Sequence, residues 1–292
     1  MKKILLTGGT GFIGRNLKES YLKDKYELYT PTRAELNTAD TASVDAYFQK
    51  HEFDVVLHGA VKPGHRNAPD HSQLFYTNVR MFENLARHSD RFGKFINFGS
   101  GAVYDVSQNN PNVTEDQRFV HLGADEHSFC KYVVAKRIES LPGFVDLNIF
   151  GIFGRYEDYA IRFISNAICK SLFNLPITLR QNRRFSYLDV NDLPAILEGF
   201  IENDVKYSSY NVVPDGFSEL RSLAEYVASK NGSEVLVASE GYGLDYYGSN
   251  ATLREEFPDV KFTPMEESID RLYEWYDSQK ADLNCDVLTY DR

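Results

Sequence analysis

The chain of 292 residues is 42% apolar and 25% charged, with a formal charge of −10, a balance that fits a globular chain and excludes disordered and fibrous classes. The length allows one large domain, or a domain with a smaller appended lobe. The acidic charge argues against nucleic acid as a partner, which requires a basic surface, and no apolar run approaches the ~18 residues of a membrane span.

The first predicted element is the strand in "KILLTGGTGFIGRNL", which runs directly into Gly8, Gly11 and Gly14 and then into a helix over about 12–24. Glycines at that junction permit a tight turn and close backbone approach, and the helix start offers free N–H groups to a pyrophosphate. Gly8, Gly11, Phe12, Ile13 and Gly14 are therefore expected to line a dinucleotide. A second strand, "YELYT", is followed by Thr32 and Arg33 where an NAD-binding chain would carry a carboxylate. A guanidinium suits a 2′-phosphate, so NADP(H) is favoured over NAD(H), with Glu35 as the alternative ribose contact.

A helix over 42–51 precedes the third strand, "DVVLHGA", and a further helix is expected over 71–90. The spacings of His58, His65 and His71 match no usual ligand pattern, so no metal is expected. The fourth strand, "KFINFGS", ends at Ser100, and the spacer from Gly101 to Asp125 reads as a loop. The helix over 126–140 carries His127 and Lys131, which at i and i+4 share one face. The fifth strand, "VDLNIFG", completes the alternation. Such alternation predicts an α/β fold, a Rossmann-type doubly wound parallel sheet over 1–150. Helices near 159–172, 191–203, 217–230 and 265–279, with short strands between, predict a smaller α/β C-terminal substrate lobe over 151–292, some segments of which could return to the first domain. The polar end from Ala281 is expected to be poorly ordered. Cys130, Cys169 and Cys285 are odd in number and lack metal spacing, as in free thiols of a reducing compartment. With the short apolar run of "MKKILLTGG" at the start, this makes the expected location cytoplasmic. Arg180, Arg183 and Arg184 form the best candidate patch for an anionic ligand.

"TGGTGFIG" at Thr7–Gly14, "GSGAVY" at Gly99–Tyr104, the helix bearing Lys131 and "RRFSYLDVNDL" at Arg183–Leu193 together resemble the extended short-chain dehydrogenase/reductases that act on nucleotide sugars, the NAD-dependent epimerase/dehydratase family. The similarity covers nearly the whole chain. The segment Thr32–Gly64 looks most like the GDP-fucose synthase-like group, and "GHRN" at Gly64–Asn67 is similar to CDP-sugar 4-ketoreductases, so the nucleotide stays open. The resemblance implies that Ser100 hydrogen-bonds the sugar 4-oxygen and that Lys131 binds the nicotinamide ribose. It places Arg33 at the adenosine end, Ala60 and Lys62 beside the cofactor, and Arg184 on the sugar nucleotide's diphosphate. It also implies a homodimer through the helices near 71–90 and 126–140.

The family's proton-donating tyrosine is replaced by His127. Imidazole titrates at about 6.5, against about 10 for phenol, so proton transfer is chemically open to it. A nearby cationic Lys131 would disfavour imidazolium, and kcat is expected to fall as pH rises through a value near or below 6.5. Tyr104 is read as a substrate contact and the next candidate donor. The family's epimerising cysteine and histidine correspond to Ala102 and Arg162, and the dehydratase acid to Gly101. The expected function is therefore NADP(H)-dependent reduction of a 4-keto nucleotide sugar without epimerisation. The alternatives are an epimerase, or a degenerate dinucleotide-binding protein without turnover.

Overall fold

The structure is a computed structural model that describes residues 1–65 and 67–289. Its central sheet has six parallel strands in the spatial order Ser209–Asn211, Phe144–Asn148, Phe92–Phe98, Phe53–His58, Lys3–Thr7 and Glu27–Tyr29. Alternate residues of each strand feed opposite faces. Ile4, Leu6, Val55, Leu57, Ile96, Val145 and Leu147 pack with Leu17 of the helix Phe12–Glu19 and with Leu193, Ile196, Leu197 and Phe200 of the helix Leu193–Glu202. Leu5, Val56, Phe95 and Phe144 pack on the other side, against the helices Thr41–Phe48, Leu74–Ala86 and Glu126–Ile138. Burial on both faces explains why these strands read as continuous apolar runs.

The sixth strand, Ser209–Asn211, comes from the second half of the chain, as does the helix Leu193–Glu202 that covers one face. A cut at residue 151 therefore crosses the sheet. The rest of the C-terminal half forms its own core from Ile164, Ile168 and Leu172, Leu223 and Val227, and Ile269, Leu272 and Tyr276, on the helices Phe163–Leu172, Leu220–Ser229 and Met265–Ser278.

Several boundaries differ from expectation for local reasons. The first helix stops at Ser20, whose hydroxyl donates to the Leu17 carbonyl at 2.7 Å, and a separate turn, Leu22–Lys25, follows. The helix expected over 71–90 begins only at Leu74, because Gln73 before it adopts a left-handed φ of 53°. The spacer Gly101–Asp125 contains a short strand, Asn110–Val113, paired with Tyr246–Gly248. The chain end is more ordered than its polarity suggests: Cys285–Leu288 forms a 3-10 turn with Leu288 buried, while 290–292 lie outside the described residues. No described helix is long and apolar enough to cross a membrane.

Candidate active site

A cleft of about 540 Å³ opens at the C-terminal ends of the central strands, where open α/β sheets place their ligands. Gly8, Gly11, Phe12, Ile13 and Gly14 form one end of it. Gly8 has φ +76°, and a Cβ there would meet Gly59 backbone at 2.7 Å. Gly11 caps the helix Phe12–Glu19, which has neither a side-chain cap nor an acidic residue in its first turn. Its leading N–H groups are therefore left for an anion. This bare, backbone-lined cradle fits the pyrophosphate of a dinucleotide.

The strand ends supply the middle of the cleft. Ala60 N–H donates to Thr7 Oγ1 at 3.2 Å, and that hydroxyl lies 2.9 Å from His58 Nδ1, which stitches the first and third strands together. Burial, aided by Lys131, lowers the His58 pKa to about 3 and keeps the ring neutral. Gly59, Ala60 and Val61 line the cleft, but Lys62 does not. The Lys62 ammonium pairs with Asp70 at 2.6 Å, so the expected cofactor contact by its side chain is replaced by a loop-bracing ion pair.

Ser100, His127 and Lys131 come together on this cleft. Ser100 follows the fourth strand and accepts from Ala102 N–H at 3.1 Å, and the Tyr246 hydroxyl lies beside it. Asp125 caps the helix Glu126–Ile138 by accepting from the N–H groups of His127 and Ser128 at 2.9 and 3.0 Å. That cap fixes the helix start and sets His127 in its first turn, with Lys131 one turn later on the same face. Lys131 Nζ donates to the Phe98 carbonyl at 3.2 Å, and Asp146, held by Asn97 Nδ2 at 2.6 Å, is its buried acidic neighbour.

Burial, and then Lys131, lower the His127 pKa to about 4. The imidazole is neutral at physiological pH; the direction agrees with the expected titration near or below 6.5, with burial rather than Lys131 as the larger cause. Burial likewise lowers Lys131 and raises the Cys130 thiol. Cys130 borders the cleft but packs in the core with Phe82 and Val134.

Tyr104 is not a cleft residue. It is 2% exposed, stacks on Phe150 and donates its hydroxyl to Asn211 Oδ1 at 2.7 Å. Its reading as a substrate contact and reserve donor is corrected: it is a core residue joining the fourth-strand turn to the sixth strand. Ala102 is buried away from the cleft, whereas Arg162 lines it. Arg33 is exposed beyond the second strand. Glu35 is turned back onto Thr32, accepting from its N–H and hydroxyl at 2.7 and 2.8 Å, so the alternative ribose contact is occupied locally. Arg184 packs over Phe217 and Tyr242 in the C-terminal lobe, with Asp245 at 3.7 Å.

Sequence reasoning missed Glu157, Tyr187 and Phe185, which complete the wall contributed by the C-terminal lobe. Glu157 stands outside any recognised spacing. Phe185 and Tyr187 follow Arg184 inside "RRFSYLDV" and were within reach of that motif.

A family model described as the NAD dependent epimerase/dehydratase family matches residues 4–212. The chain belongs to this family. A GDP-L-fucose synthase of Azorhizobium caulinodans is 28% identical over 173 residues, 53% of this chain and 54% of that protein. A GDP-L-colitose synthase of Yersinia pseudotuberculosis is 29% identical over 138 residues, 46% of this chain and 44% of the relative. The chain thus matches about half the length of these two family members. A GDP-mannoheptose C4 reductase of Campylobacter jejuni with NADP bound superposes with a TM-score of 0.78 at 20% identity, covering 94% of this chain and 98% of that one. The family's fold is therefore shared over nearly the whole length.

Proposed function

We propose that the protein is an NADP(H)-dependent reductase of a 4-keto nucleotide sugar that acts without epimerisation, as a cytoplasmic homodimer formed through the helices Leu74–Ala86 and Glu126–Ile138. The observation that carries this reading is the convergence of Ser100, His127 and Lys131 beside a glycine cradle on one cleft. The curated relatives, which act on GDP-linked sugars by name, support the substrate class. A reduced nicotinamide dinucleotide, when bound, supplies the hydride.

The residues of the chain manage the oxygen. Ser100 donates its hydroxyl proton in a hydrogen bond to the ketone oxygen. The neutral imidazole of His127 presents a second N–H to it. Two preorganised donors aimed at developing negative charge are the usual means of stabilising an oxyanion. Lys131 supplies the positive charge, and burial makes its ammonium more acidic than in water. The proton that completes the alcohol passes from Lys131 along the His127 ring, which accepts at one nitrogen as it gives at the other and never has to persist as a cation. Arg184 meets the diphosphate.

Stopped-flow and steady-state assays at 340 nm, with NADPH and a panel of 4-keto GDP-, CDP- and dTDP-sugars, test the reading. Oxidation of NADPH supports it. Binding without oxidation would instead support a dinucleotide-binding protein that lost turnover with the tyrosine.

Two further outcomes are expected. NADPH should bind more tightly than NADH, and Arg33→Ala should reduce that preference by about tenfold, the loss of roughly one charge-assisted hydrogen bond to the 2′-phosphate. Calorimetry with both dinucleotides measures it, and an unchanged preference would remove Arg33 from the site. In deuterated water the product should carry no enzyme-dependent deuterium at C3 or C5, because Ala102 has no proton to move and a guanidinium is no general base. Deuterium found there by NMR would show that the enzyme epimerises or exchanges.

A further inference from the structure

The C-terminal lobe wall of the cleft holds a carboxyl group that the reduction does not use. Glu157 is 8% exposed yet lines the cleft with Arg162, Phe185 and Tyr187. Its Oε2 accepts from Ser165 Oγ of the helix Phe163–Leu172 at 2.6 Å. The charged and titratable groups facing it are Asp158 on the same loop, Arg162 at the helix start, Tyr187 from the strand Tyr187–Asp189 and Tyr276 from the helix Met265–Ser278. Among these Arg162 is the cation, and its side chain is exposed. Ser165, Arg162 and the Gly154 N–H all favour the carboxylate, but burial outweighs them, and the acid form keeps the Ser165 bond and gains an O–H donor.

We propose that Glu157 is a specificity-determining residue that remains protonated and donates a hydrogen bond to an oxygen substituent of the substrate's sugar ring, on the side facing the C-terminal lobe. The inference rests on the nucleotide-sugar reading of the cleft and assigns part of its selectivity. Burial, as the largest cause, pushes the Glu157 pKa up to about 8, so the acid form prevails at neutral pH. A sugar lacking the oxygen would leave a buried O–H unpaired, the kind of mismatch on which polar sites discriminate strongly. As an acid, Glu157 is not the base that proton abstraction next to the ketone would require, in keeping with reduction without epimerisation.

The test reads binding, which requires no turnover. Calorimetric titration with GDP-mannose, CDP-glucose and UDP-glucose, at pH 6.5 and 9, would be run on wild type, Glu157→Gln and Glu157→Ala. For whichever nucleotide sugar binds, wild-type affinity should weaken at least fivefold between pH 6.5 and 9. Glu157→Gln keeps an N–H donor and should bind within about threefold of wild type at pH 6.5, without the extra loss at pH 9; the difference between the two removes any contribution from Lys131. Glu157→Ala should bind at least tenfold more weakly than wild type at pH 6.5 and lose little more at pH 9, where the gap between the two narrows. Thermal melting serves as the folding control. The folded pKa lies above the unfolded one, so wild type loses stability as pH rises from about 4.5 towards 8, and Glu157→Gln should melt at or above wild type at pH 8.5. Equal affinity in all three proteins, tighter wild-type binding at pH 9, or a glutamine variant as weak as alanine would overturn the proposal. Binding with these signatures but no reduction of any 4-keto sugar would sink the reductase reading and leave this one standing. Binding of none of the three nucleotide sugars would overturn both.

Discussion

Replacing His127 by alanine is expected to lower kcat by about 10²–10³-fold, the usual effect of removing one preorganised donor from a developing oxyanion, while dinucleotide affinity changes little. Lys131 and the glycine cradle remain in that variant, and neither takes its position from the His127 ring. The pH dependence separates two ways in which the residue could act. With its pKa lowered to about 4 by burial and by Lys131, the imidazolium is fully present only well below pH 4. Between pH 5.5 and 8.5, therefore, no inflection in kcat should belong to His127. A wild-type inflection near pH 6–7 that vanishes in the alanine variant would show that the cation is the donor and that the cleft is wetter than its lining implies. His127→Tyr approaches from the other side: it should recover most of the alanine loss if the cleft accommodates the longer ring. Unchanged kcat in His127→Ala would remove the residue from the chemistry altogether.

Gly14→Ala is expected to abolish useful dinucleotide binding, whereas Gly11→Ala should leave the fold intact. A Cβ on Gly14 would lie 2.2 Å from the Gly8 carbonyl oxygen and 2.7 Å from Gly9 Cα. These neighbours are backbone atoms of the cradle, so the helix Phe12–Glu19 must lift away from the strand that feeds it. Overpacking of this kind costs about 1–3 kcal/mol, and the upper end corresponds to about 100-fold in affinity if the displacement falls mainly on the ligand-competent loop. At Gly11 the added Cβ would stand 3.4 Å from the Gly8 carbonyl oxygen, an ordinary contact, and φ there is −77°. Melting curves and NADPH calorimetry on the two variants decide the matter. Wild-type affinity in Gly14→Ala would mean that the cradle yields more readily than its geometry indicates.

The contrast between these glycines shows what could be read from the chain and what could not. The junction after "KILLT" was legible because strand, turn and helix follow one another without a break, and Gly8 and Gly14 each answer a local demand. The sheet was legible for the same reason, since residues buried on both faces leave apolar runs that no surface strand tolerates. Ser100 and Lys131 could be placed by resemblance to a family pattern. Tyr104 and Lys62 misled because their partners are set by folding: Asn211 lies 107 residues from Tyr104, and Asp70 lies in a loop without regular pattern. Glu157 gave no signal, because a carboxylate in "GRYEDY" is indistinguishable from a solvated one until Ser165 and Tyr187 close around it. The pKa of His127 follows the same rule: spacing showed Lys131 beside it, but burial, the larger cause, was not visible.

The origin of the sixth strand matters for synthesis of the chain. The strand Phe144–Asn148 has Phe92–Phe98 on one side and Ser209–Asn211 on the other, and Asn148 Nδ2 donates to both Ser209 Oγ and Asn211 Oδ1. When residue 150 leaves the ribosome, that second neighbour has not yet been made. At translation rates of about 5–20 residues per second, roughly 3–12 s pass before it is. For that interval the nascent sheet has an open edge of otherwise buried residues, the kind of surface that pairs with foreign strands, and the helix Leu193–Glu202 that will cover one of its faces is missing as well. The glycine cradle, complete within the first 60 residues, is thus built on a sheet that cannot close until the C-terminal half is well under way.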